Sequence, residues 1–320
     1  MVVAAPSRRQ VQVCIGKAGL PLGALVYLKQ GRRENCAFAY DEAWLANPAR
    51  FNVSADLQLV PGYQPHKAAS VHDSVGMRPK CTLVDEDGRL AIGKFPSVAD
   101  TRSVTRGEVL ALKLAALAGV DAAQARIVVL GDVPVAVIRR FDRDAADGRI
   151  PYQSAASLLQ ASREEDRSYT EIADAIRSHG HAPTDDLRQL WRRLVLNLLI
   201  TNVDDHLQNH GFLHVEHGLW RLAPAFDINP FPDKDGESKT WLSEQDGPIT
   251  DVQMLLARAA YFALDKNQAL AVLGEVHAAV SNWRQVALGP EVGLRAAELH
   301  DFAAAFEHEH GAAVAALLGL

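Results

Sequence analysis

The sequence has few cysteines, no long apolar run and no excess of positive charge. Its three cysteines, Cys14, Cys36 and Cys81, share no spacing typical of a metal or redox site, so reduced thiols are the simplest interpretation. No run approaches the roughly 18 apolar residues of a membrane-spanning helix, and the first residues lack the apolar stretch of a secretory signal. We therefore expect a cytoplasmic protein without a membrane partner.

The charge balance disfavours one class of partner. The formal net charge is -6 and the isoelectric point is near 6.1, which argues against broad electrostatic binding to nucleic acid by this chain alone. We expect any contact with DNA to be indirect, through a partner. Hydrophobic residues make up 48% and charged residues 22% of 320 residues, as in a globular chain large enough for two lobes.

The chain does contain an Asp, an Asn and a second Asp at the spacing of a phosphoryl-transfer site. Asn209 follows Asp204 by five positions, as the metal-binding Asn follows the catalytic Asp in protein kinases. Asp227 follows a predicted hairpin, with strands at 211–215 and 219–223, that returns the chain toward Asp204. The sequence predicts Asp204 as the catalytic residue and Asn209 and Asp227 as magnesium ligands. Asp and Asn are, however, also common where helices end and turns begin.

Upstream residues could supply the nucleotide-binding half of such a site. Lys94, near the end of a predicted hairpin, and Glu108, at the start of an apolar helix, are candidates for the ion pair of kinases. Lys94 could equally be a solvent-facing strand lysine, and Glu108 could complement the helix dipole. The polar segment 70–80 is a weak candidate for a phosphate loop, because it matches neither a Walker A sequence nor a three-glycine loop. Its predicted ATP-binding residues are Val75, Gly76 and Lys80.

Strand and helix patterns divide the chain into three parts. Residues 1–68 alternate as short strands and predict a β-rich subdomain. Residues 69–142 predict a kinase small lobe that ends at an adenine-binding hinge with Arg139 and Phe141. Helical periodicity dominates residues 143–320. We expect an α+β protein with a two-lobed protein-kinase-like fold, a β-rich N-terminal part and an all-helical C-terminal lobe.

Several segments together resemble the HipA family of bacterial serine/threonine kinases, the toxins of type II toxin-antitoxin pairs. They read NVDDHLQN at 202–209, WRLAPAFDINP at 220–230, RRFDR at 139–143 and SVGMRPK at 74–80. The N-terminal stretch is similar to the small domain that begins these proteins, with GALVY at 23–27 and FAYDEAWL at 38–45. The resemblance covers nearly the whole chain.

The resemblance implies roles, cofactors and partners. The implied roles are Asp204 as the catalytic Asp, Asn209 and Asp227 as metal ligands, Lys94 as the ATP-contacting lysine, and His206 as a residue of the nucleotide site. Ser74 would be the serine whose autophosphorylation switches the kinase off. The implied cofactors are ATP and Mg2+, and the implied substrate is a translation-related protein such as an aminoacyl-tRNA synthetase. A small helix-turn-helix antitoxin would be the partner that contacts DNA.

Two other functions fit the same residues. A small-molecule kinase on the same two-lobed plan would place Asp, Asn and Asp in a comparable way, as aminoglycoside and lipid kinases do. A nucleotide-binding pseudokinase could act as a scaffold or co-repressor, although the predicted catalytic positions are all occupied. The chain also departs from the family pattern, since its segment 74–80 is one residue shorter than the common form and its overall length is small.

Overall fold

The computed structural model describes most of the chain, in three units that follow one another in sequence. The residues it describes are 7–15, 20–30, 33–52, 57–66, 79–97, 100–145, 148–162, 165–233 and 237–320. The units are an N-terminal β-rich subdomain, a small lobe and a large lobe. Within the described ranges, no helix combines the length and apolar character that crossing a membrane requires.

The N-terminal subdomain is a four-stranded antiparallel sheet in the order β1-β2-β3-β4. Its elements are β1 (Ser7–Ile15), β2 (Leu20–Gln30), β3 (Arg33–Tyr40), α1 (Glu42–Leu45) and β4 (Gln64–His66). Phe38 and Tyr40 lie two residues apart in β3, so both face the same side of the sheet, with ring centroids 4.9 Å apart. They belong to a small apolar core that also contains Leu22, Trp44, Phe51 and Leu57.

The small lobe is a second four-stranded antiparallel sheet, in the order β5-β6-β8-β7, with one helix packed against it. Its elements are β5 (Lys80–Val84), β6 (Leu90–Lys94), α2 (Val104–Leu117), β7 (Ala125–Leu130) and β8 (Val133–Arg139). Helix α2 contacts β7 and β8 and buries Val109, Leu110, Leu112 and Leu114 in the main core. This strand, strand, helix, strand, strand order agrees with the sequence pattern.

The large lobe is mostly helical. Its α-helices are α3 (Ala155–Leu158), α4 (Tyr169–His179), α5 (Pro183–Leu199), α6 (Val252–Arg258), α7 (Lys266–Ser281), α8 (Trp283–Leu288), α9 (His300–Phe306) and α10 (Glu309–Leu318). Short 3-10 helices span Leu207–Asn209, Ala259–Phe262 and Ala296–Glu298. Its strands are β9 (Tyr152–Ser154), β10 (Gly211–Glu216), β11 (Leu219–Leu222), β12 (Trp241–Ser243) and β13 (Gly247–Pro248).

The two-lobed α+β fold is confirmed, but the prediction of an all-helical C-terminal lobe is wrong, since the lobe contains five short strands among the described residues. Strands β10 and β11 form the hairpin that the sequence predicts at 211–215 and 219–223, and β9 pairs with β10 on its other side. The hairpin turn places His217 and Gly218 at φ 50° and 78°. Positive φ at both central residues matches the right-handed twist of paired strands, so this turn favours a hairpin over a continuing helix.

Helix α5 lies at the centre of the main core and positions the loop that follows it. Trp191 is fully buried, and its indole nitrogen donates a hydrogen bond to the Leu255 carbonyl at 3.1 Å. Leu190 and Leu194 lie one turn apart and are also fully buried. The helix ends at Leu199, directly before the segment that contains Asp204. A rigid buried helix therefore determines where that segment begins.

An aromatic stack joins the N-terminal subdomain to the hairpin of the large lobe. The Phe51 ring stacks on the His214 ring of β10 with centroids 3.6 Å apart, and Trp44 meets Phe51 edge-on at 5.4 Å. His214 also contacts the Trp220 ring at 5.4 Å. The histidine is thus half-buried between aromatic rings, and this partial removal from water favours its neutral form.

The partial burial of His214 predicts a loss of stability in acid. Burial, and then the charge of His217, lowers the pKa of His214 to about 4. In the unfolded chain it is about 6.5, so the unfolded state binds a proton that the folded state does not. The stability contribution of neutral His214 is therefore complete above about pH 6.5 and is lost as the pH falls toward about 4. His214→Phe should lose less stability over this window in urea denaturation, and an equal loss in both proteins would contradict the prediction.

Candidate active site

Lys94 links two carboxylates that come from different lobes. Its Nζ atom lies 2.5 Å from Glu108 Oε1 and 2.7 Å from Asp227 Oδ1. Lys94 ends β6 and is 9% exposed, and Glu108 on α2 is 3% exposed. Asp227 lies in the large lobe, after β11. One ammonium group therefore connects the small lobe to the large lobe.

The electrostatics of this cluster favour the charged forms of Lys94 and Asp227. Burial alone would lower the pKa of Lys94, but the carboxylates of Glu108 and Asp227 outweigh it and raise that pKa. Burial would raise the pKa of Asp227, but Lys94, assisted by Lys80 and His206, holds it below its usual range. Both groups are therefore ionised at neutral pH.

The geometry decides between the alternatives that the sequence left open for Lys94 and Glu108. Lys94 does not face solvent, since its side chain is only 11% exposed and pairs with both carboxylates. Helix α2 begins at Val104, so Glu108 is not a first-turn residue as the sequence suggested. The helix dipole acts mainly on the first turn. The contact with Lys94, and not the helix dipole, therefore accounts for a glutamate at position 108.

The backbone at Asp227 is bent in a way that few residues adopt. Its φ angle is 55°, in the left-handed region, which Asp tolerates better than most residues. Hydrogen bonds hold the chain on both sides of the bend. Ala225 N donates to Asp121 O at 2.7 Å, and Asn229 N donates to Asn202 Oδ1 at 3.2 Å. The bend turns the Asp227 carboxylate toward Lys94 and keeps its segment beside the start of the loop that carries Asp204.

Asp204 and Asn209 are joined within that loop. The side-chain amide of Asn209 donates a hydrogen bond to the backbone oxygen of Asp204 at 3.0 Å. Asn209 is 8% exposed and ends a 3-10 turn. Its amide nitrogen is engaged by this bond, so its amide oxygen is the atom that could bind a cation. The predicted spacing of five residues thus corresponds to a closed, hydrogen-bonded loop.

Lys239 is a candidate functional residue that the sequence reasoning missed. Its ammonium forms an ion pair with the carboxylate of Asp204. The contact depends on backbone pairing, because Lys239 N donates to the Val203 oxygen at 3.3 Å. Nothing in the local pattern marks the residue, since it lies in a polar segment without periodicity. Only the fold reveals that the segment after Asp227 returns to the loop.

An apolar cavity of about 250 Å³ opens beside Lys94 and Asp227. The rings of Phe141, Tyr152 and Phe226 line it, with centroids 5.5 to 6.4 Å apart. It lies where the chain crosses from β8 to the large lobe, at the predicted hinge. A cavity with aromatic walls and a charged end suits a flat ring that carries an anionic group.

The other predicted ATP-binding residues differ in their placement. Arg139 lines the apolar cavity, but its guanidinium donates a hydrogen bond to Gln124 Oε1 at 3.2 Å. Lys80 lies on β5 directly opposite Lys94. His206 lines a separate cavity of about 520 Å³, together with Lys239.

The predicted phosphate loop is mostly outside the described residues. Ser74, Val75 and Gly76 all fall there, whereas Lys80, the last residue of the segment, is described. Their expected roles stay predictions.

Comparisons with known proteins confirm the family resemblance. A protein-family model described as HipA-like C-terminal domain matches residues 73–283. A "Putative kinase" of Haemophilus influenzae is 30% identical over 109 residues, which are 30% of this chain and 32% of the relative. "Putative kinase Y4mE" of Sinorhizobium fredii is 26% identical over 172 residues, 48% of this chain and 41% of the relative. The chain thus spans less than half the length of either relative.

A solved structure shares the fold across both lobes. It is a chain of the Shewanella oneidensis MR-1 toxin-antitoxin complex of HipA, HipB and operator DNA. The match has a TM-score of 0.71 and covers 98% of each chain at 15% sequence identity. At this identity the likeness shows a common fold.

Removal of the Lys94 charge should destabilise the protein. Glu108 would lose the ammonium that offsets its burial, and breaking a buried ion pair in this way typically costs about 3 kcal/mol or more. Lys94→Met should lower the free energy of unfolding by that amount in urea denaturation, and Lys94→Met with Glu108→Leu by much less. Lys113→Met, which breaks a more exposed ion pair with Glu291, is the control and should cost about 1 kcal/mol at most. Equal losses in the single and double variants would contradict the prediction.

Proposed function

Since the chain belongs to the family of proteins with a HipA-like C-terminal domain, we propose that it is an ATP-dependent serine/threonine protein kinase. The observation that carries the proposal is the contact of Lys94 with Glu108 and Asp227. In protein kinases a strand lysine pairs with a helical Glu, while an Asp and an Asn hold the metal ions. Asp227 and Asn209 have the matching side chains here.

ATP would bind across the cleft. Its adenine would lie in the apolar cavity beside Phe141, and its phosphates would extend toward Lys94, which would then exchange its contact with Asp227 for the phosphates. Lys80 lies opposite Lys94 on the next strand and would add positive charge. The segment that includes Val75 and Gly76 would cover the phosphates, as the glycine-rich loop of kinases does.

The donor set fits Mg2+. Asp227 offers a carboxylate and Asn209 an amide oxygen, and Mg2+ is usually held by one or two carboxylates together with substrate phosphates. When bound, Mg2+ neutralises charge on the transferring phosphoryl group. Release of Asp227 from Lys94 would free its carboxylate for the metal. Before that release Asp227 is already ionised, since its contact with Lys94 holds its pKa below the usual range.

Asp204 would orient the hydroxyl of the protein substrate. The hydroxyl oxygen would form a bond to the γ-phosphorus of ATP as the bond between that phosphorus and the oxygen of the departing ADP breaks. The hydroxyl proton would pass late to Asp204. Phosphoryl transfer depends more on positioning and charge than on a strong base. The ion pair with Lys239 would hold the Asp204 carboxylate in one orientation. His206 and Lys239 line the separate cavity of about 520 Å³, where a substrate segment could approach.

We further propose that the chain is the toxin of a toxin-antitoxin pair and arrests growth by phosphorylating a translation-related protein, for example an aminoacyl-tRNA synthetase. The fold shared with a chain of the HipA, HipB and operator DNA complex supports a small helix-turn-helix antitoxin as the partner. The net charge of -6 favours indirect contact with DNA through that partner. We also propose that Ser74 is autophosphorylated and that the protein is cytoplasmic.

Substitution of the proposed catalytic and metal-binding carboxylates should abolish most of the activity. Asp204→Asn and Asp227→Asn should each lower phosphate transfer from labelled ATP to protein by about a hundredfold or more, because each removes a charge needed at the reacting groups. Asp132→Asn changes an exposed Asp in the β7–β8 turn and is the matched control. Thermal unfolding should show that all the variants remain folded.

The same assay separates the rival functions. Proteins, aminoglycosides and inositol lipids are offered in parallel with labelled ATP and Mg2+. Transfer to an aminoglycoside or lipid alone would contradict a protein kinase. Binding of ATP without transfer to any acceptor would favour a pseudokinase. Full activity of Asp204→Asn would remove the assignment of the catalytic residue.

A further inference from the structure

Asp205, the neighbour of Asp204, is a buried carboxylate that the proposed mechanism does not use. It is 3% exposed. Its Oδ2 atom accepts hydrogen bonds from Tyr169 Oη at 2.5 Å, Asn197 Nδ2 at 2.6 Å and His210 Nε2 at 3.0 Å. These donors belong to α4, to α5 and to the end of the catalytic loop. One oxygen atom thus ties the loop to two helices of the core.

The backbone of Asp205 is held as well. Its carbonyl oxygen accepts a hydrogen bond from Thr240 Oγ1 at 2.7 Å, and Thr240 is 3% exposed. Thr240 follows Lys239, whose ammonium pairs with Asp204. The bond to Thr240 therefore keeps the backbone next to Lys239 beside the backbone next to Asp204.

The contact between Asp205 and His210 closes the loop around Asn209. The two residues lie on either side of the 3-10 turn Leu207–Asn209 and meet through their side chains. Inside this closure, Asn209 binds the backbone of Asp204. Loss of the Asp205 carboxylate would release both ends of the loop at once. The side chains whose positions would then change are those of Asp204 and Asn209.

Stability alone does not account for a buried charge at this place. Apolar residues of similar volume often stabilise a fold as well as a buried ionic group, or better. A charged acceptor does, however, form stronger and more directional hydrogen bonds than a neutral one. A carboxylate that accepts three hydrogen bonds therefore holds the loop in one conformation.

We propose that Asp205 is a positioning residue, whose contacts with Tyr169, Asn197 and His210 set the places of Asp204 and Asn209 for phosphoryl transfer. The proposal rests on the proposed kinase function. Asp205 itself does not touch a substrate or a metal in this scheme. Its effect reaches the reaction only through the two side chains that it positions.

The chain contains a matched control for the loss of a buried carboxylate. Asp186 on α5 is 2% exposed and accepts hydrogen bonds from Arg221 Nε at 2.9 and 3.0 Å and from Leu222 N at 3.0 Å. It joins α5 to β11 and has no part in the proposed site. Asp186→Asn should therefore lower stability as Asp205→Asn does, without the same effect on the reaction.

The test compares Asp205→Asn with Asp186→Asn in the full chain. Asp205→Asn should lower kcat by about 10- to 100-fold with little change in the KM for ATP, since loss of a supporting contact typically has that effect. Asp186→Asn should keep a kcat close to that of the wild type at a comparable fall in Tm. Equal kcat values for the two variants would overturn the proposal.

Two further measurements cover the cases that this comparison leaves open. If Asp205→Asn does not fold, Tyr169→Phe removes a single donor, and an unchanged kcat in that variant overturns the proposal. If the wild type transfers no phosphate, the proposed function fails, and the affinity for Mn2+ with a non-hydrolysable ATP analogue becomes the readout. Asp205→Asn should then weaken Mn2+ binding by about tenfold relative to Asp186→Asn. Equal affinities overturn the proposal.

Discussion

The position of the Lys94 ammonium between two carboxylates is the constraint on which the site depends. Glu108 belongs to the small lobe and Asp227 to the large lobe, and each lies within 2.7 Å of the same nitrogen. Without that cation the two lobes would bring like charges together in a buried place. The Lys94 side chain therefore both joins the two lobes and balances the negative charge of the two carboxylates. Any anion that binds Lys94 must compete with Asp227 for it.

The sequence predicted those parts of the fold that have a local physical cause. Helix α5 has a buried stripe at helical spacing, and the β10–β11 hairpin has a turn that requires positive φ, so both were visible as patterns. Strand β9 has only three residues. It exists because a distant partner is in place, as Ser154 pairs with Gly211. No local pattern could have predicted it.

The candidate site divides in the same way. Asp204 and Asn209 were predicted from their spacing of five residues, which corresponds to one closed loop in the structure. Lys239 was not found, because its contact with Asp204 joins residues 35 positions apart and depends on how the chain returns. Arg139 was predicted to contact adenine and lines the apolar cavity, yet its guanidinium binds Gln124. A sequence pattern can place a residue near a site, but the direction of a long side chain depends on its neighbours.

Two local costs lie in the parts of the large lobe that carry Asp227 and Asp205. Asp227 adopts a left-handed φ, which costs a residue other than Gly of order 1 kcal/mol. Asp205 removes a charge from water, which is unfavourable until its hydrogen bonds compensate. Residues of α4 and α5, Trp191 among them, are buried in the main core, and this burial stabilises the lobe in which both costs arise. A chain selected for stability alone would have reason to relax either feature. Each is consistent with a fold in which the placement of carboxylates takes precedence over local stability.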